Sequence, residues 1–200
     1  MISVLSKRMV SCWLDHDVIT KEQVRAYTYG CELLVSDMIS NAIVLFAALL
    51  MDKVMGMIIF MAVFTSIRVV CGGHHASSYR NCILTFTSST IILFIVTDWI
   101  VAREMYAFLF LLLVIADIIL LVFAPVDHPN RPLAEEEKIK FRKKTIIRVV
   151  IINAIMLLTC TIFPFLADEM VYALMAICDT AIFLIIGLGE KYLQSIKKAI

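Results

Sequence analysis

Apolar residues run along this chain in blocks of roughly 15 to 21, close to what a helix needs to cross the hydrocarbon core of a bilayer. The blocks lie at about 33–51, 54–70, 83–97, 105–123, 146–166 and 170–188, and they predict six transmembrane helices. The third block is the least regular, with Thr85, Thr87, Ser88, Ser89 and Thr90 among its apolar residues. Hydroxyls of this kind are expected to pack on neighbouring helices or to face a site rather than lipid. Ahead of the first span, Ile2, Leu5, Met9, Trp13 and His16 recur at helical spacing, with Lys7, Arg8 and Asp15 on other faces. That pattern predicts an amphipathic helix lying on the membrane. Thr20-Lys21-Glu22-Gln23 reads as a helix start capped by Thr20, continuing through Val24 and Ser36 into the first span. The alternative is a short loop near 36–41.

Composition agrees with the pattern. The 200 residues are 62% hydrophobic, against about 45–50% apolar in soluble domains, and mean hydropathy is +0.93. The expected fold is therefore an all-α integral membrane protein, a single polytopic domain over 1–200 with an amphipathic segment at 1–32. No nucleic-acid partner and no cofactor is expected, and membrane lipid is the surrounding medium. Cys12, Cys31, Cys71, Cys82, Cys160 and Cys178 form no paired framework. All but Cys82 read as small core residues. The first residues lack a sustained apolar region and a small-residue cleavage site, so the first span is expected to act as the insertion signal.

Charge enters through its distribution among the loops rather than through the net value of +1. The N-terminal segment holds Lys7, Arg8, Lys21 and Arg25; the second loop holds Arg68 and Arg80; the fourth holds Arg131, Lys138, Lys140, Arg142, Lys143 and Lys144; the tail holds Lys191, Lys197 and Lys198. The opposite loops carry Lys53 and Arg103, while Arg148 sits at the edge of the fifth span. The positive-inside rule then puts both termini, and the second loop with them, in the cytoplasm.

That second loop is the densest run of reactive side chains in the chain. Residues 67–82 read Ile-Arg-Val-Val-Cys-Gly-Gly-His-His-Ala-Ser-Ser-Tyr-Arg-Asn-Cys. A thiol attacks only as thiolate, and a nearby imidazole can take its proton near neutral pH; His75 and Cys82 are the candidate pair. On a continuous helix they would stand about 10 Å apart along the axis, too far for a hydrogen bond. The backbone between them must bend. Gly72-Gly73 and Ser77-Ser78 supply the means, predicting a broken or re-entrant segment that is buried in protein or lines a wet cavity.

Other readings of the same residues stay open. Cys71, His74, His75 and Cys82 are four potential zinc ligands, though adjacent histidines converge on one metal only through a sharp turn. Arg68 is expected either to bond carbonyls freed by the broken helix or to stabilise an oxyanion or substrate carboxylate. Arg80 reads as an interfacial residue that snorkels or binds phosphate. Asp117 and Asp179 lie inside apolar spans and either bond hydroxyls across helices or orient His75. Residues 124–145 form a basic loop and helix in which Glu135-Glu136-Glu137 precede Lys138, Lys140, Arg142, Lys143 and Lys144, the order a helix dipole favours. The basic end serves topology and anionic lipid, or recruits an acidic peptide.

At these residues the chain resembles the accessory gene regulator B (AgrB) family of bacterial membrane endopeptidases. Arg68, then Gly72-Gly73-His74-His75-Ala76 for the family's Gly-Gly-x-His-Ala, then Cys82 at the His-x6-Cys spacing carry the resemblance. Ala124-Pro125-Val126-Asp127 and Arg131-Pro132-Leu133 are similar to that family's loop after the fourth span. The resemblance implies a cysteine endopeptidase of the cell membrane with His75 and Cys82 catalytic and Arg68, Gly72, Gly73 and His74 supporting. No metal is expected, since neither a Cys-x2-Cys nor a His-Glu-x2-His signature is present. The resemblance further implies an AgrD-type propeptide as substrate, with Lys140, Lys143 and Lys144 as candidate contacts to its acidic tail, a thiolactone or lactone product for quorum sensing, and a homodimer. A transporter or channel component, with the Gly-Gly-His-His loop as gate, is the rival.

Overall fold

The computed structural model describes residues 2–73, 79–127 and 133–199. Seven α-helices follow one another among them: α1 (Ile2–Asp15), α2 (Val24–Leu50), α3 (Val54–Cys71), α4 (Tyr79–Val101), α5 (Tyr106–Phe123), α6 (Glu135–Ile162) and α7 (Ala167–Ala199), with one turn of 3-10 helix at Pro164–Leu166. Six of these helices, α2 to α7, are long and apolar enough to cross a membrane. The protein is a multi-pass all-α membrane protein.

Helix ends explain the order. After α1, α2 and α4 the chain turns through an acidic residue in the left-handed region, Asp17 (φ 54°), Asp52 (φ 56°) and Glu104 (φ 54°). The next amide in each case reaches back to a carbonyl five residues earlier: Val18 N donates to Trp13 O at 2.9 Å, Lys53 N to Ala48 O at 2.8 Å and Met105 N to Ile100 O at 3.2 Å. This is the Schellman closure, which satisfies orphan carbonyls and stops a helix sharply. It leaves α2 with α3, and α4 with α5, as hairpins joined by minimal turns. At the end of α6, Pro164 supplies the stop, because it cannot continue the i to i−4 ladder.

Some element bounds differ from the sequence pattern. The chain runs as one helix from Val24 through Ser36, without the alternative loop, but α2 starts at Val24 rather than behind a Thr20 cap. The Thr20 N–H instead donates to Gln23 Oε1 at 3.0 Å. The irregular third block extends at both ends into a helix of 23 residues. Its hydroxyls divide: Thr90 is fully buried, whereas Ser88 is exposed and returns its hydrogen to Leu84 O at 2.6 Å. The acidic start at Glu135 and the fifth span are one continuous helix, α6. Glu137 accepts the Ala134 N–H at 3.1 Å and so caps it.

α7 is the central helix and by far the most buried of the six. It packs on α3, α4, α5 and α6. Small residues allow this: Ala173, Ala176 and Ala181 are buried at its contacts, and a Cβ on Gly56 of α3 would stand 2.5 Å from the Tyr172 ring. Phe60, Phe64, Phe94 and Phe183 fill the space between α3, α4 and α7, with Phe60 and Phe94 edge to face at 5.7 Å.

The bundle has two polar ends. At one, Lys53 pairs with Asp98 at 3.0 Å, and the Tyr172 hydroxyl donates to the same carboxylate at 3.2 Å. The hydrogen bond to Asp98 holds the Lys53 ammonium above its ordinary pKa. At the other end Lys191 of α7 pairs with Asp127, in the loop after α5. That hydrogen bond holds Asp127 below the usual carboxylate range. A carboxylate depressed in the folded state stabilises above its unfolded pKa of about 3.9, and the contribution is lost as pH falls through the folded value. Lys191 is half exposed, with 53% of its side chain accessible, so the effect is small. Near neutral pH, Lys191→Gln is expected to melt about 1–3 °C below the wild type, the two converging as pH drops below about 4. Thermal scans in detergent across pH check this; a gap that persists in acid contradicts it.

Candidate active site

α3 ends in two glycines that the local geometry requires. Gly72 lies at φ 69°, ψ −145° and Gly73 at φ 111°, conformations that cost L-residues about 1–3 kcal/mol. Space forbids a side chain as well. A Cβ on Gly72 would overlap Val126 O, and one on Gly73 would overlap Arg68 Nη1 and stand 2.9 Å from Phe183 O. The helix is therefore broken at Gly72-Gly73, as the sequence predicts.

The turn is held by backbone on one side and by a guanidinium on the other. The Val126 N–H donates to Cys71 O at 2.9 Å, and the Gly73 N–H donates to Val126 O at 3.2 Å. These two bonds lay the loop after α5 against the end of α3. Arg68, one turn before Gly72, donates through Nη1 to Gly72 O and lies over the Phe183 ring at 5.3 Å. This is the first of the two expected roles for Arg68, satisfying a carbonyl released by the broken helix. Cys71 is fully buried, and its thiol turns to Gly72 O at 3.4 Å and Arg68 O at 3.8 Å.

α4 begins at Tyr79, and Cys82 falls in its first turn. It is half buried among its neighbours. Arg68 and Asp37 of α2 both lie within electrostatic reach of it. The fold thus brings Arg68, Gly72, Gly73 and Cys82 to one end of the bundle. His74 and His75 lie outside the described residues. Lys140, Lys143 and Lys144 occupy exposed positions on the first turns of α6, with the Lys144 ammonium 5.8 Å from the Phe141 ring centre. Further along the same helix, Arg148 donates to Ser66 O of α3. That bond ties the basic helix to the helix that carries the glycine turn.

Two acids noted in the sequence separate in space. Asp117 accepts Asn153 Nδ2 at 2.8 Å, linking α5 to α6. Asp179 is fully buried on α7, within electrostatic reach of Arg68. Asp37 is a further acid near Cys82 that sequence reasoning missed; its signal was a carboxylate inside an apolar run. The α4 start near Cys82 was missed too, because the apolar block begins only at Ile83.

A six-helix membrane bundle with an arginine-braced glycine turn and a cysteine at a helix start defines a polytopic membrane protein with a site at one end. The family model for accessory gene regulator B matches residues 3–196. Two Clostridium perfringens proteins named AgrB-like, from strain 13 and strain SM101 (both Type A), are each 30% identical over 156 residues, covering 76% of this chain and 72% of the relative. The chain belongs to the accessory gene regulator B family, and so to the accessory gene regulator system of bacterial quorum sensing. No solved structure matches it.

Proposed function

We propose that this protein is a cysteine endopeptidase that acts on an AgrD-type propeptide at the cytoplasmic face of the membrane. His75 takes the proton of Cys82 Sγ, and the thiolate attacks the carbonyl at the C-terminal cleavage point. The C–N bond breaks, the C-terminal fragment leaves as an amine that takes up the proton from His75, and the N-terminal part remains as a thioester on Cys82. A thiol or hydroxyl within the bound peptide then displaces Cys82, closing a thiolactone or lactone ring. Exchange of one thioester for another changes free energy little, so keeping water from the acyl-enzyme decides between ring closure and hydrolysis.

The observation that carries this reading is Cys82 in the first turn of α4, within electrostatic reach of Arg68, beside a helix broken at Gly72-Gly73. A break there would let a short sequence interval turn a histidine back toward a cysteine. Arg68, Gly72, Gly73 and His74 support the pair. The whole chain, 1–200, acts as one domain, with 67–82 as its catalytic segment, and it works as a homodimer. Incubation of the protein in lipid vesicles with a propeptide encoded beside it tests the reading. Release of the C-terminal fragment by the wild type and not by His75→Ala upholds it; release that survives His75→Ala overturns it.

The cytoplasmic placement of both termini and of the site has its own test. A single cysteine at position 53 or 103 is expected to react with an impermeant maleimide from outside intact cells, and labelling from the cytoplasmic side alone contradicts the orientation. Substrate capture involves the basic residues that follow the acidic first turn of α6. Opposite charges raise encounter rates and orient the partner more than they add affinity. Reversing Lys143 and Lys144 to glutamate is expected to slow processing by about tenfold at low salt, less at high salt, with membrane insertion unchanged. Equal processing by the reversed protein rules this role out.

A further inference from the structure

α3 turns one face to the core and leaves the other to its surroundings. Phe60, Phe64, Ile67 and Cys71 are buried, whereas Thr65 and Val69 lie exposed on the opposite side of the helix. On that outer side α3 and α6 leave a groove of about 550 Å³ between them. Thr65, Ser66 and Val69 line it from α3, and Arg148, Ile151 and Ile152 line it from α6. The groove opens outward, since Val69 and Ile151 both stay exposed. The medium that meets the outer face of a membrane bundle is lipid.

One charge stands in this groove. Arg148 uses a guanidinium N–H on Ser66 O, which leaves most of its donors in hand, and no carboxylate among the described residues pairs with it. Ser66 comes five residues before Cys71, the last residue of α3, a distance of about 7.5 Å along the axis. The guanidinium therefore lies just inside the end of the bundle that carries Gly72, within reach of the headgroup level for a long side chain that snorkels. An inorganic anion there would answer Arg148 and leave Val69, Ile151 and Ile152 uncovered. A phospholipid brings both parts: a phosphate for the forked donors of the arginine and an acyl chain for the apolar walls. In a zwitterionic lipid an ammonium already answers the phosphate, so the unpaired charge of Arg148 favours an anionic one.

We propose that the groove between α3 and α6 binds an anionic phospholipid, its phosphate on Arg148 and an acyl chain along Val69, Ile151 and Ile152. Because Arg148 also holds Ser66 O, the bound lipid braces α6 against the helix that ends at the glycine turn. The site stands independently of the endopeptidase reading.

Native mass spectrometry of the full chain, delipidated in non-ionic detergent and titrated with phosphatidylglycerol or phosphatidylcholine of the same acyl chains, tests it. The expected result is a saturable phosphatidylglycerol adduct, bound at least about fivefold more tightly than phosphatidylcholine. Arg148→Gln removes that preference, and Arg148→Lys, which keeps the charge, retains part of it. Val69→Trp, which fills the groove and leaves Arg148 in place, weakens the adduct at least about fivefold. Equal binding of the two lipids overturns the proposal, as does a preference that survives Arg148→Gln or an adduct unchanged by Val69→Trp. Displacement of the lipid by inorganic phosphate would make this a free-anion site, and displacement by the propeptide a substrate groove; either result overturns the lipid assignment. Should Arg148→Gln fail to yield monodisperse protein, Val69→Trp decides alone, loss of the adduct upholding the site and its retention overturning it.

Discussion

Gly72→Ala is expected to abolish propeptide processing, lowering it by at least about 100-fold, because the residue is constrained twice. Its backbone lies where an L-residue is strained, a cost of about 1–3 kcal/mol. Its missing Cβ is also the space occupied by Val126 O, a backbone atom that cannot rotate away. To admit a methyl group, either the end of α3 or the loop after α5 must move. The first would lose the bonds from Val126 N to Cys71 O and from Gly73 N to Val126 O; the second would pull on the Lys191–Asp127 pair. Since each 1.36 kcal/mol is tenfold in rate, a displacement costing about 3 kcal/mol at the site accounts for the loss. The measurement is fragment release by protein first shown to be monodisperse and helical by circular dichroism. Gly30, around whose Cβ position nothing stands within 4 Å, serves as the control, and Gly30→Ala should process normally. Equal activity of Gly72→Ala and wild type would remove the turn from the account.

The second large effect is expected at the proposed nucleophile, Cys82. Cys82→Ala should reduce fragment release by at least about 1,000-fold, leaving what binding alone contributes, since removing a nucleophile removes the covalent route itself. Cys71→Ala, eleven residues earlier, is the informative comparison. Cys71 is buried and turned to its own helix carbonyls, and one such neutral hydrogen bond is worth about 1 kcal/mol, so activity should stay within about fivefold of wild type. Processing rates for the two variants in the same vesicles decide the matter. The reverse order, with Cys71 essential and Cys82 dispensable, would move the chemistry to the other side of the glycine turn.

Much of this architecture is legible in the sequence because lipid imposes a single rule: every spanning segment must satisfy its own backbone. The six apolar blocks therefore map onto α2 to α7 without rearrangement. What composition cannot show is where a helix continues past the apolar run. α2 extends back to Val24, α4 to Tyr79 and α6 to Glu135, since helices do not end at the membrane surface unless something stops them. The stops are local: Asp17, Asp52 and Glu104 in left-handed conformations, Gly72, and Pro164.

The site is legible to a different depth. Gly72-Gly73 announces a break, and the break occurs there. The brace of that turn was not readable, because it joins residues distant in the chain: Arg68 with Phe183, Cys71 with Val126 and Arg148 with Ser66. Asp37 near Cys82 and Asp179 near Arg68 belong to the same class of fact. An acid in an apolar run marks a position in the sequence; only the packing of α2 and α7 shows which residues lie near it.

The most direct test of the central claim, an acyl-enzyme on Cys82, is intact mass spectrometry of the purified protein in lipid after brief incubation with its propeptide. The expected result is a mass increase equal to the propeptide without its C-terminal fragment, present in the wild type, absent from His75→Ala and Cys82→Ala, and removed by hydroxylamine. Fragment release with no adduct at any time point, or an adduct that persists in Cys82→Ala, would contradict it.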